Sequence, residues 1–156
     1  MLKPIPSLLL EIYVNKNIFL KENQFLNIEH LVFNQGPKRV GPFSHAVKAG
    51  GFLFVTGQMP TLTSDPIKLI DGDISDQTHQ VMRNLKTVLT ASNSSLENVV
   101  FARVYLLNFK DFDTMNTIYE SYFLPGKLPA RTCIGVTGLA VGASIEIDLI
   151  AKLVDL

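Results

Sequence analysis

Two stripes of apolar residues with helical spacing, each lying between strand-like runs, limit this chain to a small number of folds. In the first stripe, apolar residues recur on one helical face at i, i+1, i+4, i+7 and i+8: Val81, Met82, Leu85, Val88 and Leu89. The second stripe covers residues 112–123 with similar spacing, and Pro125-Gly126 end it. Two strand–helix–strand units in one chain predict an α+β fold, in which both helices cover one face of a sheet.

Apolar runs around the two stripes predict the strands of that sheet. The run 52–55 is aromatic and β-branched and is enclosed by glycines. The run 99–107 is apolar on both sides near its centre, so we expect both of its faces to be covered. The last two runs, 132–136 and 144–152, are consecutive, and we expect them to pair antiparallel. The free face of the sheet then needs a partner, and another subunit is the simplest one.

Polar residues predict where the helices begin and end. Ser75 or Asp76 is suited to cap the first helix and Asp111 the second, because a side-chain oxygen accepts hydrogen bonds from free backbone N–H groups. The polar run 92–95 ends the first helix. Residues 59–74, rich in proline, glycine and small polar residues, are predicted to form a loop.

The first 36 residues show no regular period, and we predict that they are an extension of unknown role before a domain at 37–156. Within the extension, residues 11–14 and 30–33 have strand-like composition. The apolar stretch near the start is too short for the core of a signal peptide, and no run is long enough for a membrane span. We therefore expect a cytoplasmic protein, with organellar targeting by residues 1–36 as the alternative.

Composition disfavours several classes of function. The 156 residues include 14 basic and 14 acidic ones, and zero net charge makes nucleic acid an unlikely partner. One cysteine and three histidines, well separated, predict neither an internal disulfide nor a metal site. The glycines match neither the phosphate-binding loop nor the dinucleotide-binding spacing. No metal and no organic cofactor is therefore expected.

Arg131 and Glu146 are charged residues in otherwise apolar strands. If the last two strands pair antiparallel, the two side chains approach each other, either as a structural ion pair or as a site. As a site, Arg131 would bind a carboxylate through two parallel N–H···O bonds and Glu146 would handle a water molecule. Contact with Arg131 would lower the pKa of Glu146, so that it would orient water more than deprotonate it. The sequence leaves both roles of Glu146 open.

Six short blocks of sequence carry a family resemblance. They are GPFSHAV at 41–47, VTGQMP at 55–60, QT at 77–78 with NLKTVL at 84–89, the segment 116–123, LPARTC at 128–133 and SIEID at 144–148. In this order and spacing they resemble the Rid/YjgF/UK family, the reactive intermediate deaminases that are also called the L-PSP family. The resemblance covers roughly residues 37–152 and leaves out the first 36.

The resemblance implies a chorismate-mutase-like fold, with a six-stranded mixed sheet and two helices on one face. Three copies would form a barrel-like homotrimer with sites in clefts between neighbouring subunits. The implied reaction is hydrolysis of 2-aminoacrylate and related enamines or imines to 2-oxo acids and ammonia. The implied partners are thus small 2-imino and 2-enamino acids, and no cofactor is implied.

Carried over by position, the resemblance places the family's carboxylate-binding arginine at Arg131 and its acidic residue at Glu146, as the catalytic pair. It places the site asparagine at Asn116 and the neighbouring cysteine at Cys133, as substrate-binding residues. The segment from Asn116 to Arg131 is about two residues shorter than in common members of the family.

The remaining substrate-binding residues implied by the resemblance are Phe43, Thr56 and Gly57. Phe43 stands where common members have tyrosine, so the ring can wall the pocket while the hydroxyl is missing. Thr56 stands where common members have serine, which keeps a hydroxyl and adds a methyl group.

Two alternative functions stay open. The first is a non-enzymatic module of the same fold that binds small carboxylates or protects proteins, which Phe43 and the shorter segment before Arg131 favour. The second is a ribonuclease or translation inhibitor, an activity attached to some family members. The neutral charge and the lack of a histidine or lysine cluster argue against the second.

Overall fold

A six-stranded mixed sheet organises the part of the chain that the computed structural model describes, residues 27–34 and 36–154. The strands are β1 Glu29–Leu31, β2 Ala46–Ala49, β3 Phe52–Gln58, β4 Val99–Leu106, β5 Ala130–Gly135 and β6 Ile145–Lys152. Their spatial order is β1-β2-β3-β6-β4-β5. β4 and β5 are parallel, and every other neighbouring pair is antiparallel. The predicted fold class is confirmed.

The predicted strands agree with the observed ones to within a few residues. β1 covers half of the predicted strand 30–33, at His30 and Leu31, and pairs with β2 through Leu31 and Ala46, so the sheet includes residues from the segment 1–36. The predicted strand 11–14 lies outside the described residues.

Helix α1, Ile74–Ala91, begins at least two residues earlier than its predicted caps allow. Asp73 is the cap: its Oδ1 accepts hydrogen bonds from the backbone N–H of Ser75 (2.8 Å) and of Asp76 (3.3 Å). Asp76 Oδ2 accepts from the backbone N–H of Asp73 in return, which completes a capping box. The prediction of Ser75 or Asp76 as the cap was wrong, because both residues already lie within the first turn. The predicted end is confirmed at Ser92.

Helix α2, Phe112–Glu120, follows Asp111, but the Asp111 side chain makes no capping hydrogen bond. A short 3-10 turn at residues 109–111 leads into the helix, and the side chain of Asn108 accepts from the backbone N–H of Lys110 at its start. Asp111 therefore occupies the predicted cap position, but its side chain does not cap the helix, because the backbone is already helical there.

The hydrophobic core lies between the sheet and the two helices. The apolar stripe of α1 and residues Met115 and Tyr119 of α2 pack against alternate residues of the central strands, all buried: Leu53, Val55, Ala102, Val104, Leu106, Ile145, Ile147 and Leu149. The helices cover only this face. In the described part of the chain, no helix is long and apolar enough to cross a membrane.

The opposite face of the sheet is open within one chain. Phe52 and Phe54 of β3 are exposed there, and β4 places Arg103 on it, also exposed. We expected both faces of β4 to be covered. In a single chain this is wrong, because both helices pack on the same side. The surface that remains combines exposed aromatic rings with the charged pair Arg103–Asp148.

β5 and β6 are not neighbours, although they are consecutive in the chain. β4 lies between them, parallel to β5 and antiparallel to β6. The prediction of an antiparallel β5–β6 pair was wrong. β6 contributes four fully or almost fully buried residues to the core, Ile145, Ile147, Leu149 and Ala151. The middle of the sheet shields this core-facing row from water on both sides, and β6 lies there, between β3 and β4.

Candidate functional site

Arg131 lies near the start of β5, the strand at the edge of the sheet, on the side that α2 covers. Its guanidinium carbon is 4.8 Å from the centre of the Tyr119 ring and 5.9 Å from that of Phe112. Its Nη1 lies 4.0 Å from the sulfur of Met115. These contacts come from one face of α2, at i, i+3 and i+7. A cation over an aromatic face gains about 0.5–2 kcal/mol, so this helix face holds the charged group in a defined place.

The charge of Arg131 is not neutralised by an acidic group among residues 27–34 and 36–154. The ion pairs of this region are Lys48–Glu29, at 3.1 Å, and Arg103–Asp148, at 2.8 Å. A guanidinium stays protonated at any physiological pH. Arg131 is therefore a half-buried cation with its donors available to an anionic ligand.

Two residues of α2 carry buried polar atoms without a partner: Tyr119, whose ring contacts Arg131, and Asn116. Within the described chain, neither Asn116 Oδ1 nor the Tyr119 hydroxyl has a hydrogen-bond partner. Tyr119 is only 4% exposed, and burial raises the pKa of its hydroxyl to about 12. Buried polar atoms are normally paired, so two unpaired ones beside an unpaired cation indicate a place where a polar ligand or a partner chain completes the bonding.

Cys133 lies two residues after Arg131 on the same side of β5 and is half-buried against the core. Burial raises the pKa of its thiol, and the nearby charge of Arg131 opposes this effect. A protonated thiol is a weak nucleophile, so Cys133 is better suited to line the site than to attack a substrate.

Glu146 lies on the open face of β6, because the alternate residues Ile145 and Ile147 face the core. Burial raises the pKa of its carboxyl group, and repulsion from Asp148 raises it further. Gly57 of β3 makes room for this carboxylate: a Cβ at Gly57 would overlap Glu146 Oε1. A β-bulge between Val55 and Gln58 brings Gly57 to this place.

Thr56 and Phe43 lie on the same side of the molecule as Gly57. The Thr56 hydroxyl donates to the backbone oxygen of Ser44 at 2.7 Å, so it fastens β3 to the segment before β2. Phe43 and Gly57 line a shallow cleft together with Gln58 and His45. The His45 ring is fixed by two backbone groups, the N–H of Phe33 at 3.1 Å and the oxygen of Pro37 at 2.7 Å, which gives it a structural role.

The predicted site residues thus form two groups. We call Arg131, Cys133, Asn116 and Tyr119 the arginine edge, and Glu146, Gly57, Thr56 and Phe43 the glutamate face. The predicted approach of Arg131 to Glu146 was wrong for a single chain, because β4 separates their strands and their side chains lie on opposite faces. Two strand spacings alone amount to roughly 10 Å. No small molecule can touch both groups in one protomer.

The predictions from the sequence missed residues in both groups. Tyr119, Met115 and Phe112 were assigned only to the core, although the Arg131 guanidinium rests against all three. Asp148 was also missed as a companion of Glu146. Strand alternation could have predicted that Asp148 lies beside Glu146, because residues two apart share a face of a strand.

Comparison with known proteins finds relatives that are similar in sequence over most of this chain. The family model described as Endoribonuclease L-PSP matches residues 33–153. A RutC family protein of Pyrococcus horikoshii is 42% identical over 127 residues, which is 80% of this chain and 98% of the relative. The mitochondrial protein Mmf1 of Saccharomyces cerevisiae is 38% identical over 115 residues, which is 74% of this chain and 77% of the relative.

Solved structures agree with these similarities. The crystal structure of yeast Mmf1 superposes with a TM-score of 0.76 at 34% identity, covering 81% of this chain and 99% of that one. The structure of Escherichia coli TdcF, described with bound serine, superposes with a TM-score of 0.73 at 25% identity, covering 80% of this chain and 98% of that one.

Proposed function

This chain belongs to the Endoribonuclease L-PSP family, also called the Rid/YjgF family, and from that premise we propose that it hydrolyses small enamines and imines such as 2-aminoacrylate to 2-oxo acids and ammonia. The observation that carries the proposal is the Arg131 guanidinium, which rests on aromatic rings and has no acidic partner among the described residues. A planar cation with free donors matches the planar carboxylate of such substrates.

The separation of the two groups supports a site between subunits. The arginine edge and the glutamate face cannot meet in one protomer, and the open face of the sheet exposes apolar side chains such as Phe52 and Phe54. In a homotrimer, the arginine edge of one protomer would stand against the glutamate face of its partner. Each site would then receive its cation from one chain and its carboxylate from another.

The chemistry needs only these residues and water. The carboxylate of the imine lies on Arg131, which fixes the electrophilic C2 atom in place. Glu146 accepts a proton from water as the water oxygen bonds to C2. In the single chain, burial and the charge of Asp148 raise the pKa of its carboxyl group, which favours this role. Glu146 returns that proton to the nitrogen, which gives a tetrahedral carbinolamine with one hydroxyl and one amino group. Glu146 then takes the hydroxyl proton and passes it to the nitrogen, the C=O bond forms as the C–N bond breaks, and ammonia and a 2-oxo acid are released.

A coupled assay tests the proposed function. A pyridoxal-phosphate-dependent dehydratase supplies the imine, semicarbazide traps what is not hydrolysed, and 2-oxo acid release is followed with and without the protein. Loss of a charge-assisted pair of about 1.5–3 kcal/mol predicts a fall in kcat/KM of roughly ten- to a hundredfold for Arg131→Ala. Arg83→Ala, which removes an exposed arginine of α1, is the matched control. Equal rates for Arg131→Ala and wild type would refute the proposal.

A second candidate function is binding of small carboxylates without turnover. Phe43 brings no hydroxyl to the cleft beside Gly57, and the relative TdcF is described with bound serine, a small carboxylate. Calorimetry with 2-oxo acids separates the two functions. Binding that depends on Arg131, with no acceleration of imine hydrolysis, would favour the binding module.

Some relatives carry the word endoribonuclease in their descriptions, as the family model does. RNA cleavage by a nuclease-free preparation, lost in Arg131→Ala or Glu146→Gln, would favour that activity over the deaminase.

We propose a cytoplasmic location, with organellar targeting by residues 1–36 as the alternative because the relative Mmf1 is described as mitochondrial. Fusion of residues 1–36 to a fluorescent protein distinguishes the two. Diffuse fluorescence supports the first location, and organellar fluorescence supports the second.

A further inference from the structure

A charged cluster on the open face, next to Glu146, has no part in the reaction proposed above. Arg103 of β4 donates from Nε to both carboxylate oxygens of Asp148, at 2.8 and 3.0 Å. The hydroxyl of Tyr105 donates to Asp148 Oδ2 at 2.9 Å. The Asp148 side chain is 13% exposed and that of Arg103 is 52% exposed. Asp148 is therefore a nearly buried carboxylate that one cation and one hydroxyl hold in place.

The strand register puts this cluster beside Glu146. Asp148 lies opposite Arg103 and Glu146 lies opposite Tyr105 in the β4–β6 ladder. Glu146 and Asp148 are two residues apart on one strand, so they share a face at a Cα separation of roughly 6–7 Å. No hydrogen bond joins them, and the link between them is electrostatic.

The residues of β3 and β4 that directly face Glu146 carry no charge. β3 faces it with Gly57, which has no side chain, and β4 faces it with the neutral Tyr105. The cleft beyond Gly57 is lined by the exposed cations Lys38 and Arg39 and by His45, which is bound to backbone groups. The charged side chain that raises the pKa of Glu146 is Asp148, after the larger effect of burial.

We propose that Asp148 and Arg103 act as positioning residues that set how readily Glu146 takes up a proton, with Asp148 increasing that tendency and Arg103 offsetting it. The effect on catalysis rests on the proposed function, in which Glu146 accepts a proton from water. The electrostatic effect itself rests only on the geometry of β4 and β6.

The two residues predict shifts of opposite sign. Asp148→Asn keeps the shape and removes the negative charge, so the pKa of Glu146 should fall. Arg103→Gln removes the cation that compensates Asp148, so the pKa of Glu146 should rise. Charges roughly 6–7 Å apart near a protein surface predict shifts of about half a pH unit to two pH units. Arg103→Lys restores the charge and should return the pKa toward the wild-type value.

A carboxyl titration by ¹³C NMR measures the shift without reference to activity. Protein labelled at glutamate side chains is titrated, and the signal that disappears in Glu146→Gln identifies Glu146. Lys48→Gln, which removes a cation paired with Glu29 at the far side of the sheet, is the control and should leave the Glu146 signal unchanged. Shifts of opposite sign for Asp148→Asn and Arg103→Gln support the proposal. Unchanged titration in both, or shifts of the same sign, would overturn it.

The pH profile of kcat/KM for imine hydrolysis separates this proposal from the proposed function. If Glu146 is the base, the acid limb of the profile should move with the NMR titration in both variants. An acid limb that stays in place while the NMR titration moves would support the electrostatic role of Asp148 and Arg103, and would refute the role of Glu146 as base.

Discussion

The arginine edge and the glutamate face hold their charged groups in opposite ways. Arg131 lies between a strand and a helix, its guanidinium over the rings of Tyr119 and Phe112, with no carboxylate near it. Glu146 lies on the open face, and the nearest charged side chain of its own strand is another carboxylate, Asp148. Aromatic faces stabilise a cation while leaving its hydrogen-bond donors free, whereas a like charge destabilises the ionised carboxylate.

This difference suggests that the two regions have different chemical roles. A cation held by π-faces is suited to bind an anion, and a carboxylate with a raised pKa is suited to accept a proton. Neither region holds the opposite charge that it would meet in a completed site. The four predictions below test whether the two regions are halves of one site, in order of decreasing effect.

Mixed oligomers give the largest expected effect. Arg131→Ala and Glu146→Gln should each be nearly inactive in imine hydrolysis, because each removes one half of every site. When the two variants are refolded together, random assortment should restore roughly a quarter of the wild-type sites. The two variants refolded separately and then mixed without subunit exchange are the control. No recovery after joint refolding would show that the two groups do not meet across a subunit boundary.

Gly57→Ala tests the space on the glutamate face. A Cβ at Gly57 would overlap Glu146 Oε1, so the carboxylate must turn away. We expect kcat to fall about tenfold or more, as misplacement of a catalytic group predicts, while the Tm changes little because the displaced atoms end a flexible side chain. Gly138→Ala is the matched control, since its Cβ would meet no atom within 4 Å. Full activity of Gly57→Ala would show that Glu146 takes no part in the reaction.

Glu146→Gln tests the electrostatics of the glutamate face through stability. Because the folded-state pKa of Glu146 is raised above the ordinary value of 4.5, wild type loses stability as the pH rises from the unfolded pKa through the folded pKa. The glutamine variant lacks this loss. Its free energy of unfolding relative to wild type should therefore be higher at neutral pH than at pH values below the unfolded pKa.

Urea denaturation at several pH values measures this difference, with the exposed Glu97→Gln as control. If the free energy of unfolding of Glu146→Gln relative to wild type falls with rising pH, Glu146 ionises more easily in the folded protein than in the unfolded chain. That result would contradict the prediction for the single chain and would indicate an ion pair with a cation such as the partner subunit's Arg131.

Tyr119→Phe is the mildest change to the arginine edge. It keeps the ring under the guanidinium and removes a buried hydroxyl that has no hydrogen-bond partner in the described chain. We expect the free energy of unfolding to stay the same or to rise by up to about 1 kcal/mol, because an unsatisfied polar group is removed. Destabilisation by more than this in urea denaturation would show that the hydroxyl is bonded in the assembled protein.

Much of the fold was readable from the sequence because it depends on local periodicity. The helical stripes placed α1 and α2, the glycines enclosed β3, and the alternation in 144–152 identified β6. Strand alternation also indicated that Glu146 and Arg131 face opposite ways. Glu146 is one residue from the core residue Ile145 and so faces away from the core, whereas Arg131 is two residues from Cys133, which packs on the core, and so faces toward it. The assumed antiparallel pairing of the two strands hid this signal.

The sequence by itself determined most of the elements, β2 excepted, together with their apolar faces and the residue types that carry chemistry, because each depends on residues close together in the chain. Only the tertiary structure decided which strands are neighbours. In the order β3-β6-β4-β5, β6 lies in the middle of the sheet with Ile145, Ile147, Leu149 and Ala151 buried in the core, an arrangement set jointly by residues far apart in the chain. That order places Arg131 and Glu146 on opposite faces, so under the proposed function a complete site needs residues from two protomers.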